Sequence, residues 1–113
     1  MRRLVLAALV LTVPIAWGLW SLDGPLGVLC LTSRTVYAPG YRDALFRSIR
    51  LGMTEAEVRQ VLGTPHHTLG GMTADDPTFG YSWREGDDGC YRQRSIGFER
   101  GAVTSVLAGC NCD

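Results

Sequence analysis

Met53-Thr54-Glu55-Ala56-Glu57-Val58-Arg59-Gln60-Val61-Leu62-Gly63-Thr64-Pro65 carries the start, the face and the stop of a short helix in one run. Thr54 and Glu57 make a capping box, in which the Thr54 hydroxyl accepts the Glu57 N–H and the Glu57 carboxylate reaches back to the Thr54 N–H. Met53 and Val58 occupy the two positions of a hydrophobic staple, and the carboxylates of Glu55 and Glu57 suit the positive end of the helix dipole. Val58, Val61 and Leu62 form a single apolar stripe. Gly63 is placed for a left-handed C-terminal cap, and Pro65 prevents continuation.

Working outward, Tyr41 to Ile49 puts Leu45, Phe46 and Ile49 on one helical face and predicts a short first helix. Residues 23–40 hold Asp23-Gly24-Pro25, Gly27 and Pro39-Gly40 without sustained periodicity. They read as a linker, with a short extended piece at Val28 to Thr32. On the other side, residues 69–78 read as a glycine- and aspartate-rich loop with room for a short strand at its beginning. Phe79-Gly80-Tyr81-Ser82-Trp83 then alternates aromatic and small residues as a half-buried strand does. Cys90 to Glu99 and Ala102 to Ala108 follow as two more strands joined at Arg100-Gly101. The expected fold is α+β: two short helices packed on one face of a three-stranded antiparallel β-meander (ααβββ), preceded by a hydrophobic N-terminal helix. The expected organisation is an anchor or signal peptide at 1–22, a linker at 23–40, the domain at 41–109 and a Cys-containing tail at 110–113.

The N-terminus sets the expected compartment. Arg2 and Arg3 precede an uncharged run from Leu4 to Trp20, which at 1.5 Å per residue spans roughly 25 Å, and Ser21 and Leu22 bring it close to a hydrocarbon core of about 30 Å. The leading arginines favour an N-in orientation. Three fates compete. An uncleaved signal anchor suits the length and the Trp17/Trp20 pair. A cleaved signal peptide suits the apolar Leu4 to Val13 and the small residues of Ala16-Trp17-Gly18. A lipoprotein acylated at Cys30 ranks last, since Gly27-Val28-Leu29 lacks a small residue next to the cysteine. The expected location is the cell envelope, either anchored in the inner membrane through residues 4–22 with a periplasmic domain or exported after signal cleavage.

Composition excludes other classes. All 11 basic residues are Arg and they balance 11 acidic ones, so no basic stripe calls for nucleic acid. A hydrophobic content of 46% with 14 Gly reads as globular and rich in turns.

Ile49-Arg50-Leu51-Gly52-Met53-Thr54 through Val58, Leu62, Gly63 and Pro65 resembles the helix motif of the BamE-like (SmpA/OmlA) domain family, with Gly52, Met53, Thr54, Glu57, Gly63 and Pro65 as its cap and motif residues. The aromatic strand Phe79 to Trp83 and the closing Phe98-Glu99-Arg100-Gly101-Ala102-Val103-Thr104-Ser105-Val106 resemble the family's later motifs. The resemblance implies an ααβββ fold in the bacterial envelope, of which one branch assists outer-membrane barrel assembly; a related fold unit occurs in β-lactamase-inhibitor proteins. Both act by presenting a surface. The expected function is therefore a non-catalytic interaction module with a protein partner in the envelope, the alternative a tethered or secreted enzyme inhibitor.

In an oxidising compartment the four cysteines pair. A three-residue hairpin loop at Glu99-Arg100-Gly101 sets Cys90 opposite Cys110, and a two-residue loop sets it opposite Asn111 between Cys110 and Cys112. Cys90–Cys110 is the expected bond and Cys90–Cys112 the alternative, with the remaining C-terminal cysteine free to pair with Cys30. A zinc site from Cys90, Cys110, Cys112 and a histidine is disfavoured because the spacing lacks a CxxC knuckle. A redox role for Cys110-Asn111-Cys112 is disfavoured because nothing near it in sequence lowers a thiol pKa. His66-His67 reads as an exposed loop, and the acidic groups at 75–76 and 85–88 read as solvated turns without calcium-loop spacing. No cofactor, metal or catalytic constellation is expected. Phe79, Tyr81 and Trp83 line one strand face, which packs under the helices or, if exposed, forms the interaction surface.

Overall fold

The computed structural model of the chain describes residues 22–30, 34–70, 76–86 and 89–112. In order these contain a 3-10 helix (Pro25–Cys30), β1 (Thr35–Tyr37), α1 (Asp43–Phe46), α2 (Glu55–Leu62), β2 (His67–Leu69), β3 (Thr78–Gly80), β4 (Ser82–Arg84), β5 (Cys90–Glu99) and β6 (Ala102–Cys112). The strands form two antiparallel sheets among the described residues, β2-β3-β5-β6 and β1-β4. The expected meander of three strands under two helices is thus overturned. The described residues are mostly β, with sheets of four and two strands and two short α-helices among them.

Three local events account for the difference. The first helix is a single turn, and Arg42 at its N-cap makes no side-chain capping bond. His67–Leu69, expected at the edge of a loop, pairs with β3 and adds a strand. The aromatic strand splits at Tyr81. There the Tyr81 N–H donates to the Arg94 carbonyl (2.8 Å) while the Tyr81 carbonyl accepts from the Ala38 N–H (2.9 Å), so one residue serves two sheets. Beyond it β4 leaves β5 and pairs with β1, Val36 opposite Trp83. Hydroxyls fill the gap. Ser82 Oγ donates to the Arg92 carbonyl (2.6 Å) and accepts from the Arg94 N–H (2.8 Å), and Thr35 Oγ1 accepts from the Arg92 N–H (3.0 Å). The strand edge that β4 abandons is therefore satisfied by side chains, as buried backbone requires.

The described residues of 23–40, a stretch read as a linker, are built into the domain. Asp23 is buried, Cys30 is disulfide-bonded, β1 makes half of the small sheet and Ala38 joins the core. Val28 to Cys30 lies in the 3-10 helix where an extended piece was expected. Residues 1–21, which carry the anchor and signal-peptide readings, lie outside the described residues. Leu22, assigned to that segment, packs on the domain core. Among the described residues no helix is long and apolar enough to cross a membrane.

Phe46, Ile49, Val58 and Leu62 meet Phe79, Tyr81, Ile96, Phe98 and Val103 in one core. Phe79 and Phe98 lie 4.7 Å apart between ring centroids, and the Arg59 guanidinium sits 4.5 Å over the Phe79 ring. The segment before α2 is stitched to β6, with Gly52 donating to the Val103 carbonyl (2.9 Å) and Val103 to that of Met53 (2.8 Å). The Thr54 hydroxyl accepts the Glu57 N–H at 3.2 Å, the first half of the capping box. Gly63 closes α2 at φ 81, ψ −163, outside the left-handed helical well expected for it. This region belongs almost to glycine alone. The Tyr81 hydroxyl donates to the Gly63 carbonyl at 3.0 Å, and burial pushes its pKa up to about 12. Gly63→Val should therefore cost about 1–3 kcal/mol, read as a drop in Tm; unchanged melting would show that this backbone geometry is not held in solution.

Candidate functional site

The inward side chains of β5 run Phe98, Ile96, Arg94, so an arginine takes the next core position, with 1% of its surface exposed. Its Nη1 bonds Asp23 Oδ1 (2.8 Å) and the Gln93 carbonyl (2.7 Å), and its Nε bonds Asp43 Oδ1 (3.1 Å). Arg92 Nε adds a contact to Asp23 Oδ2 (3.3 Å), and the Tyr41 hydroxyl donates to Asp43 (2.7 Å). Tyr41 in turn stacks on Tyr37 with centroids 5.2 Å apart. Burial acts to raise the Asp43 pKa, but the bonds from Arg94 and Tyr41 outweigh it and hold the carboxyl below its usual range. Burial likewise disfavours the charged Arg94, and Asp23 and Asp43 more than offset it. Burial, reinforced by the bond to Asp43, drives the Tyr41 hydroxyl far above its usual value. These donors and acceptors consume one another. The cluster is a brace that joins the start of the described chain, α1 and β5.

Beyond Arg94 on the same face lie the cysteines. Cys30 bonds Cys110 and Cys90 bonds Cys112. The expected Cys90–Cys110 bond gives way to its alternative, Cys90–Cys112, with Cys30 taking the remaining C-terminal cysteine, and the register explains why. The hairpin turns on two residues, Arg100 (φ 53) and Gly101 (φ 78), so Glu99 faces Ala102 and Phe98 faces Val103. A bulge between Gly97 and Phe98 then advances β6 by one more residue, setting Gly97 opposite Ser105 and Cys90 opposite Cys112. The expected tail at 110–113 is, through Cys112, the last part of β6.

The opposite face of the sheet is open. Register places His67, Gly80, Ser95 and Leu107 across it, and Phe79, Ile96 and Val106 on the helix side. Phe79 and Tyr81 are buried inward, but the fork at Tyr81 turns Trp83 outward, so the three aromatics do not share a face. The Trp83 ring meets the edge of His67 at 4.8 Å and lies 6.1 Å from Tyr91. The His67 ring occupies the space that a Cβ on Gly80 would need. Its Nδ1 is buried without a hydrogen-bond partner among the described residues. Burial first, and His66 second, lower the His67 pKa, which favours the neutral ring. His66, His67, Leu69 and Trp83 line an open groove of about 330 Å³. Leu69 (53%), Leu107 (47%), Trp83 (42%) and its register partner Val36 (40%) remain exposed. A second groove, of about 530 Å³, is lined by Asp76, Glu99, Arg100 and Thr104. Within it Asp76 accepts the Arg100 N–H at 3.3 Å and supports the hairpin turn.

Sequence reasoning missed the brace and the His67–Gly80 contact. The signal for the brace was present: Arg94 falls on the inward alternation with Ile96 and Phe98, a position a charge takes only when paired. His67 gave no such signal, because its setting depends on strand pairing across the loop.

No family model matches the chain, and no curated protein or solved structure does either. The resemblance to the BamE-like family rests on the sequence motifs.

Three measurements check this geometry. Arg94→Ala leaves buried Asp23 with only its longer contact to Arg92 and strips Asp43 of its arginine, and should cost about 3–5 kcal/mol; Arg94→Lys should not restore it, since an ammonium lacks the planar fork that spans two carboxylates. Because the folded Asp43 pKa is lowered, its contribution is present above the ordinary aspartate value of about 3.9 and is lost as pH falls through the folded value. Asp43→Asn should therefore flatten the stability profile in that acid window, as followed by urea unfolding at stepped pH. Peptide mapping under non-reducing conditions should recover Cys30–Cys110 and Cys90–Cys112; recovery of Cys90–Cys110 would contradict the bulged register.

Proposed function

We propose that this domain is a non-catalytic interaction module of the cell envelope, and that it presents the open face around Trp83 to a protein partner. The observation that carries the reading is the cluster of exposed apolar side chains, Trp83, Leu69, Leu107 and Val36, on a face whose histidine is held toward its neutral form. Aromatic anchors set among smaller apolar groups are typical centres of protein interfaces. The rigid sheet behind them favours recognition with little ordering cost on binding.

The envelope half of the reading is supported by the uncharged run after Arg2 and Arg3, by the two disulfides and by the resemblance of residues 49–65 and 98–106 to the BamE-like motifs. Disulfides persist where the compartment is oxidising. The tyrosine and arginine side chains of the brace face inward and are spoken for, which leaves the opposite face as the available surface.

The test is a photo-crosslinking residue at position 83, followed by capture from membrane fractions. A discrete protein adduct that is lost in Trp83→Asp, with Tm unchanged, supports the reading. Barrel-assembly components among the adducts point to an assembly role, and a single soluble hydrolase points to inhibition. Capture that Trp83→Asp leaves intact excludes this face.

A further inference from the structure

The four cysteine sulfurs converge on one corner of the fold from three separate elements. Cys30 closes the 3-10 helix, Cys90 opens β5, and Cys110 and Cys112 close β6. Cys90 and Cys112 are register partners, and Cys110 stands two residues along the same strand face. The sulfurs of Cys90, Cys110 and Cys112 all lie within 4.8 Å of one another, and Cys30 is bonded to Cys110. The Cys110 and Cys112 sulfurs, which belong to different disulfides, are 3.9 Å apart. In a tetrahedral zinc tetrathiolate, with Zn–S of about 2.3 Å, neighbouring sulfurs are about 3.8 Å apart. One edge of such a tetrahedron is therefore already set by the backbone. Two others form when each disulfide of about 2.05 Å opens to about 3.8 Å, a change within reach of rotation about the Cα–Cβ bonds.

We infer that Cys30, Cys90, Cys110 and Cys112 form a redox-controlled zinc site, closed as two disulfides when oxidised and available as a four-thiolate site when reduced. Two equivalents of a dithiol reductant deliver two electrons and two protons to each disulfide, leaving four cysteine thiols and two oxidised reductant molecules. Zinc then displaces four thiol protons and takes four thiolates, with a net site charge of −2. Thiolates select zinc over the harder magnesium and calcium ions. The spacing conceals the site because a CxxC knuckle brings two sulfurs together through a turn. Here residues i and i+2 of a strand do so, since they share a face. Either state ties the same three elements together. The inference stands apart from the docking face, which lies on the other side of the sheet.

The full chain in detergent, reduced with a phosphine and titrated anaerobically with cobalt(II), tests this. One equivalent should bind with the sulfur-to-cobalt charge-transfer and tetrahedral d–d bands of a four-sulfur site, and zinc should displace it. The oxidised chain should show neither band. Cys112→Ser, reduced in the same way, should lose the four-sulfur spectrum. If reduction alone unfolds the domain, added zinc should restore its circular dichroism. An octahedral spectrum, less than one ion per chain, a Cys112→Ser titration like the wild type, or failure of zinc to restore the fold would each overturn the site.

Discussion

The fold depends on a charge placed where a hydrophobic residue would ordinarily sit. Arg94 continues the inward row of β5, and a guanidinium there is tolerable only if its donors are used and its charge is matched. Asp23 and Asp43 provide the match from two places remote in sequence. That requirement recruits the chain before β1 and the single turn of α1 into the domain. The apolar core covers the hairpin end of β5, and the brace and two disulfides cover the other. Without the brace and the disulfides together, the far half of β5 and β6 would have no partner on that side.

The brace also explains why the chain is already structured close to its hydrophobic N-terminus. Leu22 packs on the core and Asp23 is locked by Arg94 and Arg92. A segment with the composition of a flexible spacer is held by one buried carboxylate, one disulfide and one short strand. The fork at Tyr81 belongs to the same design. By leaving β5, β4 pairs with β1 and closes over the arm, while Ser82 and Thr35 satisfy the backbone left behind. The fork has a second effect: it turns Trp83 to the open face, away from Phe79 and Tyr81. The surface proposed for partner binding is thus a by-product of how the arm is secured.

Local sequence was a reliable guide wherever the controlling interactions are local. The span of α2, its Thr54 cap and its Val58/Leu62 face follow from contacts within a few residues, and so does the pairing of two long strands across Arg100-Gly101. The helix stop was legible as well, although Gly63 takes a more extended conformation than the one expected. Strand number, the linker and the aromatic face were misread because each depends on partners tens of residues away. Thr35 to Tyr37 has nothing to mark it as a strand until β4 arrives beside it.

The sequence by itself determined the capped helix, the hairpin, the uncharged run after Arg2 and Arg3, and the presence of four cysteines able to meet near the end of that hairpin. Only the tertiary structure decided which cysteines pair, since the two-residue turn sets Cys90 toward Asn111 and one bulge carries it on to Cys112, and a bulge is chosen by twist and packing across the sheet. It alone decided that Asp23 belongs to the core and that Trp83 faces outward. Propensity and capping act over a turn of chain, whereas register and charge matching are settled between segments that meet only after folding.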